Sequence, residues 1–219
     1  MKLGFVMTLT AVALLSGCSI PAAPSAVSSL SGLYGPPESA NTGATVEIGQ
    51  QLTLGILYSQ NTQINRAYLE HYQANAGTGF GQSLLVPAIR DAYIATSNPD
   101  LAVDWIKSAL QRRFGTVTVY PDVEALKAAK PDVIVVIDTR SQLITPRSSD
   151  IESTTTAYFY DKHLNYLAMA TGHDATSLTP VWAGNKRSED IVHDITQQQN
   201  VQINALHDFD RSLNDVLSR

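Results

Sequence analysis

The chain has 219 residues and a formal charge of −5, enough for one domain with a sizeable core but short for two. The acidic balance argues against nucleic acid or an anionic membrane surface as the main partner. The single cysteine, Cys18, leaves no disulfide available and excludes Cys clusters, Cys-His catalytic pairs and iron–sulfur centres.

Met1-Lys2 gives one positive charge, and residues 3–15 form an apolar run interrupted only by Gly4, Thr8 and Thr10. This is the pattern of an export leader, and the run is shorter than the ~20 residues that a membrane-spanning helix needs. Directly after it, Leu15-Ser16-Gly17-Cys18 resembles the lipobox of bacterial lipoproteins in every position. The resemblance implies cleavage after Gly17, a diacylglyceryl group on the Cys18 thiol and acylation of the new amino terminus. With Ser19 next, rather than Asp, it also implies sorting to the outer membrane. The domain would then face the periplasm, with the cell surface as the alternative.

Residues 1–17 are therefore expected to be a signal peptide and residues 18–50 a lipidated, flexible tether. Residues 51–219 would form a single α/β periplasmic domain. The tether assignment rests on its many Ser, Ala, Pro and Gly residues and few charges, as in Pro21-Ala22-Ala23-Pro24 and Gly35-Pro36-Pro37. Such a segment buries too little apolar surface to offset its ordering entropy, and at this length it spans about 30 Å as a coil. A sharper alternative is that Leu30, Leu33 and Tyr34 dock on the domain or on a partner.

Order is expected from residue 52, where Leu-Thr-Leu-Gly-Ile-Leu-Tyr reads as a strand. Ile64, Ala67, Tyr68 and Tyr72 then predict a helix, and Leu85, Ile89 and Tyr93 a second one that tolerates Pro87 only in its first turn. The glycine-rich segment 77–83 between them lacks a P-loop ending and follows a helix, so it reads as a connection. Asn98, Pro99 and Asp100 predict the start of a third helix, with Trp105 as a core anchor and Gly115 just past its end. Residues 116–120 alternate as a half-buried strand, and Pro121-Asp122 opens a short helix closed by Pro131. Residues 133–137 are five β-formers in a row, the pattern of a strand buried on both faces at the centre of a sheet. Its link back to the preceding strand is expected to be a parallel crossover.

Residues 153–160 and 166–171 flank a polar tip, 161–165, as a β-hairpin. Ser188-Glu189-Asp190 starts a last helix with Ile191, Ile195, Leu206, Phe209, Leu213 and Val216 on one stripe and an interruption near Gln199-Asn200. The expected fold is α/β, or α+β, with one small mixed sheet carrying packed helices, in the order β-α-α-α-β-α-β-β-β-α. That order resembles the small module of the curli-secretion-channel lipoprotein, of lipoproteins that activate penicillin-binding proteins and of the amino-terminal domain of TolB. The resemblance implies a non-catalytic envelope module that binds protein or assembles into rings.

The five histidines, His71, His163, His173, His193 and His207, show no close metal-ligand spacing, and no serine lies in a nucleophile elbow. No cofactor, metal or catalytic residue is assigned. Asp138 lies at the expected carboxyl end of the central strand, where α/β sheets bind ligands. With Arg140 and His173 it makes the candidate binding set, although a turn explains Gly172-His173-Asp174 better. The expected function is a structural, assembly or accessory component of a cell-envelope complex, anchored to the membrane through Cys18. Its expected partners are envelope proteins, no nucleic acid, and further copies of itself. The alternatives are an accessory lipoprotein that binds a small molecule or glycan in a tyrosine-lined pocket and, behind it, a hydrolase with dispersed catalytic residues.

Overall fold

A computed structural model describes residues 22–25, 45–78, 86–145, 148–181 and 186–218. The leader, the lipobox, and Leu30, Leu33 and Tyr34 lie outside the described residues. The chain runs β1 (Val46–Glu47), β2 (Gly49–Tyr58), α1 (Gln60–Thr78), α2 (Pro87–Ala95), α3 (Leu101–Gln111) and β3 (Phe114–Val119). It continues through α4 (Val123–Ala129), β4 (Val133–Gln142), β5 (Asp150–Asp161), β6 (Tyr166–Ser177), α5 (Ser188–Val216) and β7 (Leu217–Ser218). Apart from the two-residue strands β1 and β7, this is the expected order. Those two pair in parallel, Val46 with Leu217, so ordered structure precedes residue 51 and Val46 is fully buried.

The five-stranded sheet has the order β3-β2-β4-β5-β6, with β2 parallel to both β3 and β4 and the β4-β5-β6 part antiparallel. β4 is central, and Val133 through Thr139 are all buried, as the unbroken apolar run predicts. The link from β3 through α4 does return to a strand of the same direction, but β2 lies between the two. Asp122 caps α4 by accepting the Ala125 N–H at 2.7 Å, and Lys130 ends it with a φ of 52° immediately before Pro131. Register at the start of β4 is fixed by Thr53, whose N–H and hydroxyl donate to Asp132 Oδ2 at 2.9 and 2.8 Å. These bonds hold the Asp132 carboxyl below its ordinary pKa.

α3 and α5 cover one face of the sheet, packing Ile106, Leu110, Phe209 and Leu213 against Ile56, Val135, Ile137 and Phe159. α4 covers one end of the other face, with Leu126 against Leu57, Ile134, Val136 and Tyr160. A further cluster joins α1 and α2 to the start of α5 through Tyr68, Tyr72, Ile89, Tyr93, Ile191 and Ile195.

Several local features differ from expectation. α5 is continuous, because Gln198 and Gln202 occupy core positions of its stripe and are buried at 0% and 5% exposure. Gln198 Oε1 accepts from Tyr72 OH and from Ile144 N, and its amide donates to Thr96 Oγ1. Trp105 is half-buried and bridges helices, donating from Nε1 to Asp210 Oδ2 at 3.1 Å and lying edge-on to His207. Gly115 belongs to β3, where a Cβ would fall 1.8 Å from the Gln50 carbonyl oxygen. Gly172-His173-Asp174 is part of β6, and a Cβ on Gly172 would fall 2.0 Å from the Ala205 carbonyl oxygen of α5. The hairpin is longer than expected, and its tip is held by Asp161 Oδ1, which accepts from His163 N and Asn165 N.

Past Ile137, β4 has lost β2 as a partner, and α1 takes that place with side chains. Thr139 N donates to Thr62 Oγ1 at 2.9 Å, Ser141 N to Asn65 Oδ1 at 2.9 Å and Leu143 N to Tyr68 OH at 3.2 Å. Three helical residues rise about 4.5 Å and two strand residues about 6.6 Å, so the registers diverge and the bridging side chains lengthen from Thr to Asn to Tyr. β6 is treated in the same way by α5, with Thr171 N donating to Ser212 Oγ and His173 N to Asp208 Oδ2.

Candidate functional site

The antiparallel register sets the candidate residues in rows across β4, β5 and β6. Asp138 pairs with Thr156 and Thr156 with Thr171; Arg140 pairs with Thr154 and Thr154 with His173; Gln142 pairs with Glu152. Directly opposed residues share a face, and this is the face opposite α3 and α5. α4 covers it near Ile134 and Tyr160; of the residues in these rows Asp138 and Thr156 are buried, Thr154 and Glu152 half-buried, and Arg140, Thr171 and His173 exposed.

Arg140 and His173, named from sequence, thus flank Thr154 in one row, and Asp138 lies one row away. Their environments differ. Asp138 is 9% exposed and its Oδ2 accepts from Asn61 Nδ2 at 3.0 Å. β4 continues beyond it to Gln142, so Asp138 marks the end of pairing with β2 at Tyr58–Ile137 and not the end of the strand. Arg140 is exposed and has no acidic partner within salt-bridge distance among the described residues. His173 is exposed and sits 3.4 Å from Glu152 Oε1.

Thr156 and Thr171 join their hydroxyls at 3.1 Å. Beyond them, Val136 pairs with Tyr158 and Tyr158 with Met169, and Met169 is 40% exposed. Burial, and after it the charge of Asp138, raises the Tyr158 phenol above its ordinary pKa. The surface therefore grades from an aromatic and thioether end to a charged end at Arg140 and Glu152.

At the charged end lies a cleft of about 100 Å³ lined by Arg140, Glu152, Asn61 and Asn65 and by the segment Ala23-Pro24-Ser25. That volume is well under the ~300–1,000 Å³ of small-molecule pockets. The contact also shows that part of the expected tether lies against the domain, with Ala23 packed on the cluster that contains Leu143 and Ile144. Tyr68, Tyr72 and Tyr93 are buried in the core, with Tyr68 and Tyr93 each edge to face on Tyr72, at 6.0 and 5.8 Å.

Glu152 and Thr154 were not identified from sequence. In Glu152-Ser153-Thr154-Thr155-Thr156 both faces of the strand are polar, so alternation cannot separate them; Ser153 and Thr155 turn out to be buried. His193 and His207 are exposed on α5, and no group of three metal-ligating side chains occurs among the described residues. Among these residues no helix is long and apolar enough to cross a membrane.

No family model matches the chain, and no curated protein matches it. One solved structure that does is a dodecamer of a PelC point variant from Paraburkholderia phytofirmans, 8% identical, covering 74% of this chain and 94% of that chain at a TM-score of 0.29. At that score the likeness carries no argument for this chain.

Proposed function

We propose that this is a lipid-anchored module of the bacterial outer membrane that docks an envelope protein on the open face of β4, β5 and β6, without catalysis. The observation that supports this reading is the row Arg140–Thr154–His173, in which exposed Arg140 and His173 flank a half-buried Thr154, with a guanidinium free of acidic partners among the described residues, a His–Glu pair and an adjoining Tyr158–Met169 end. Surfaces that combine Arg, aromatic and Met side chains suit protein partners. The lipobox supplies the membrane anchor, and the multiple acyl chains implied at Cys18 hold where a single chain would be marginal.

Arg140→Glu tests the docking surface. The side chain is exposed, so the variant is expected to keep the thermal unfolding of the wild type and to recover much less crosslinked partner from the native envelope. Unchanged recovery would contradict the reading. For the anchor, a radioactive fatty acid is expected to label the wild type and not Cys18→Ala, and equal labelling would remove the lipoprotein assignment.

A further inference from the structure

Among the described residues, β3 is the sheet edge left unguarded. The edge of β4 past Ile137 is closed by Thr62, Asn65 and Tyr68, and the edge of β6 by Ser212 and Asp208. β3 pairs with β2 on one side only. Tyr120 N donates inward to Ile56 O, so by strand alternation Gly115, Val117 and Val119 turn their N–H and C=O groups outward. Its sequence, Phe-Gly-Thr-Val-Thr-Val, carries neither Lys nor Pro nor an inward charge, and the irregularity in its pairing with β2, between Gly49 and Thr53, is confined to its start. Val119, at its end, is 37% exposed.

We propose that β3 pairs antiparallel with β3 of a second copy of this chain, about a two-fold axis at Val117. The sequence around the strand selects this occupant and this direction. Arg112 and Arg113 precede β3, and Asp122 and Glu124 follow it. An antiparallel pair centred on Val117 brings the exposed Arg112 end of β3 in one copy towards the exposed Asp122 end in the other, twice, whereas a parallel pair would bring like charges together. Val117 meets Val117, Thr116 meets Thr118, and Val119 pairs with Gly115, beside which the Gln50 backbone lies. Outward groups at 115, 117 and 119 supply about six backbone hydrogen bonds. Self-complementarity of this kind is what an isologous two-fold contact requires. With the axis normal to the sheet, one ten-stranded sheet results, and both copies turn their β4-β5-β6 faces to the same side.

Val117→Cys in the full chain tests the geometry, because opposed hydrogen-bonded residues have Cα atoms about 5.5 Å apart, within disulfide range. Mild oxidation is expected to give a homodimer on a non-reducing gel, while the wild type and Gln199→Cys, placed on exposed α5, stay monomeric. Sedimentation of the detergent-solubilised chain is expected to give a dimer that Val119→Lys converts to monomer, at least a tenfold loss of affinity, with an unchanged melting profile. Val117→Pro removes one outward N–H and is expected to act in the same direction. A monomeric wild type, a dimer insensitive to Val119→Lys, or capture of a different protein by Val117→Cys would overturn the proposal.

Discussion

Asn65 and Ser141, 76 positions apart, are joined by a 2.9 Å hydrogen bond from the Ser141 backbone N–H to the Asn65 side-chain carbonyl. The bond is the middle rung of a ladder in which a helix satisfies a strand edge, with Thr62 and Tyr68 on either side. Each rung removes an unsatisfied donor from a site that the cluster around Leu143 and Ile144 keeps from water.

Asn65→Leu keeps the volume and removes the acceptor. It also removes the amide contacts to Thr139 Oγ1 and Ser141 Oγ, both near 3.4 Å. Leaving the Ser141 N–H unpaired is expected to cost about 1–3 kcal/mol. Urea unfolding checks this: the midpoint should fall with the slope unchanged. A wild-type midpoint would mean that water serves the strand equally well.

Gly172→Ala is expected to be among the most damaging single methyl additions in the chain. The added carbon would meet the Ala205 carbonyl oxygen at 2.0 Å and Phe209 N at 2.3 Å, both backbone atoms of a 29-residue helix. α5 must move off β6, and overpacking of this kind costs about 3 kcal/mol or more. Thermal unfolding of the variant should show a drop of many degrees. An unshifted transition would show that α5 has room to retreat.

Most of the architecture was legible because each element satisfies its own local pattern. The five β-formers of β4 are buried on both faces, Ile89 and Tyr93 face inward on α2, and Asp122 caps α4. Local pattern misleads where polar residues are enclosed in the core. Gln199-Asn200 predicts an interruption of α5, but Gln198 and Gln202 beside that pair find hydrogen-bond partners on α1, after the end of β4 or in the turn after α2, and the helix continues. Gly115 and Gly172 read as stops, whereas both mark close backbone approaches that only the packed fold reveals. Of the candidate site, Asp138, Arg140 and His173 could be picked individually. Their arrangement in adjacent rows depends on hairpin register, which a stretch of strand polar on both faces does not specify in advance.

The buried tyrosines make stability sensitive to alkali. Burial pushes the Tyr68 phenol up to about 12, against an opposing backbone hydrogen bond from Leu143, and it raises Tyr72 well above its ordinary value. In the unfolded chain these groups ionise near pH ~10. Their contribution is thus fully present below about pH 10 and is lost as pH rises toward the folded value, because only the unfolded state releases the protons. Above that point unfolding and the ultraviolet signal of buried tyrosinate should appear together. Tyrosinate formation by all nine tyrosines near pH ~10 with circular dichroism unchanged would contradict this placement.

Reception of an envelope protein on the face that carries Arg140, Thr154 and His173 is the step on which the proposed function stands or falls. A photo-crosslinking amino acid placed at Thr154, the middle of the row, probes that face in living cells, with Ser108 on exposed α3 across the sheet as the comparison. A discrete adduct of this chain with a second, different envelope protein is expected from position 154 and none from position 108. No adduct at 154, or the same adduct from both positions, would contradict docking on this face.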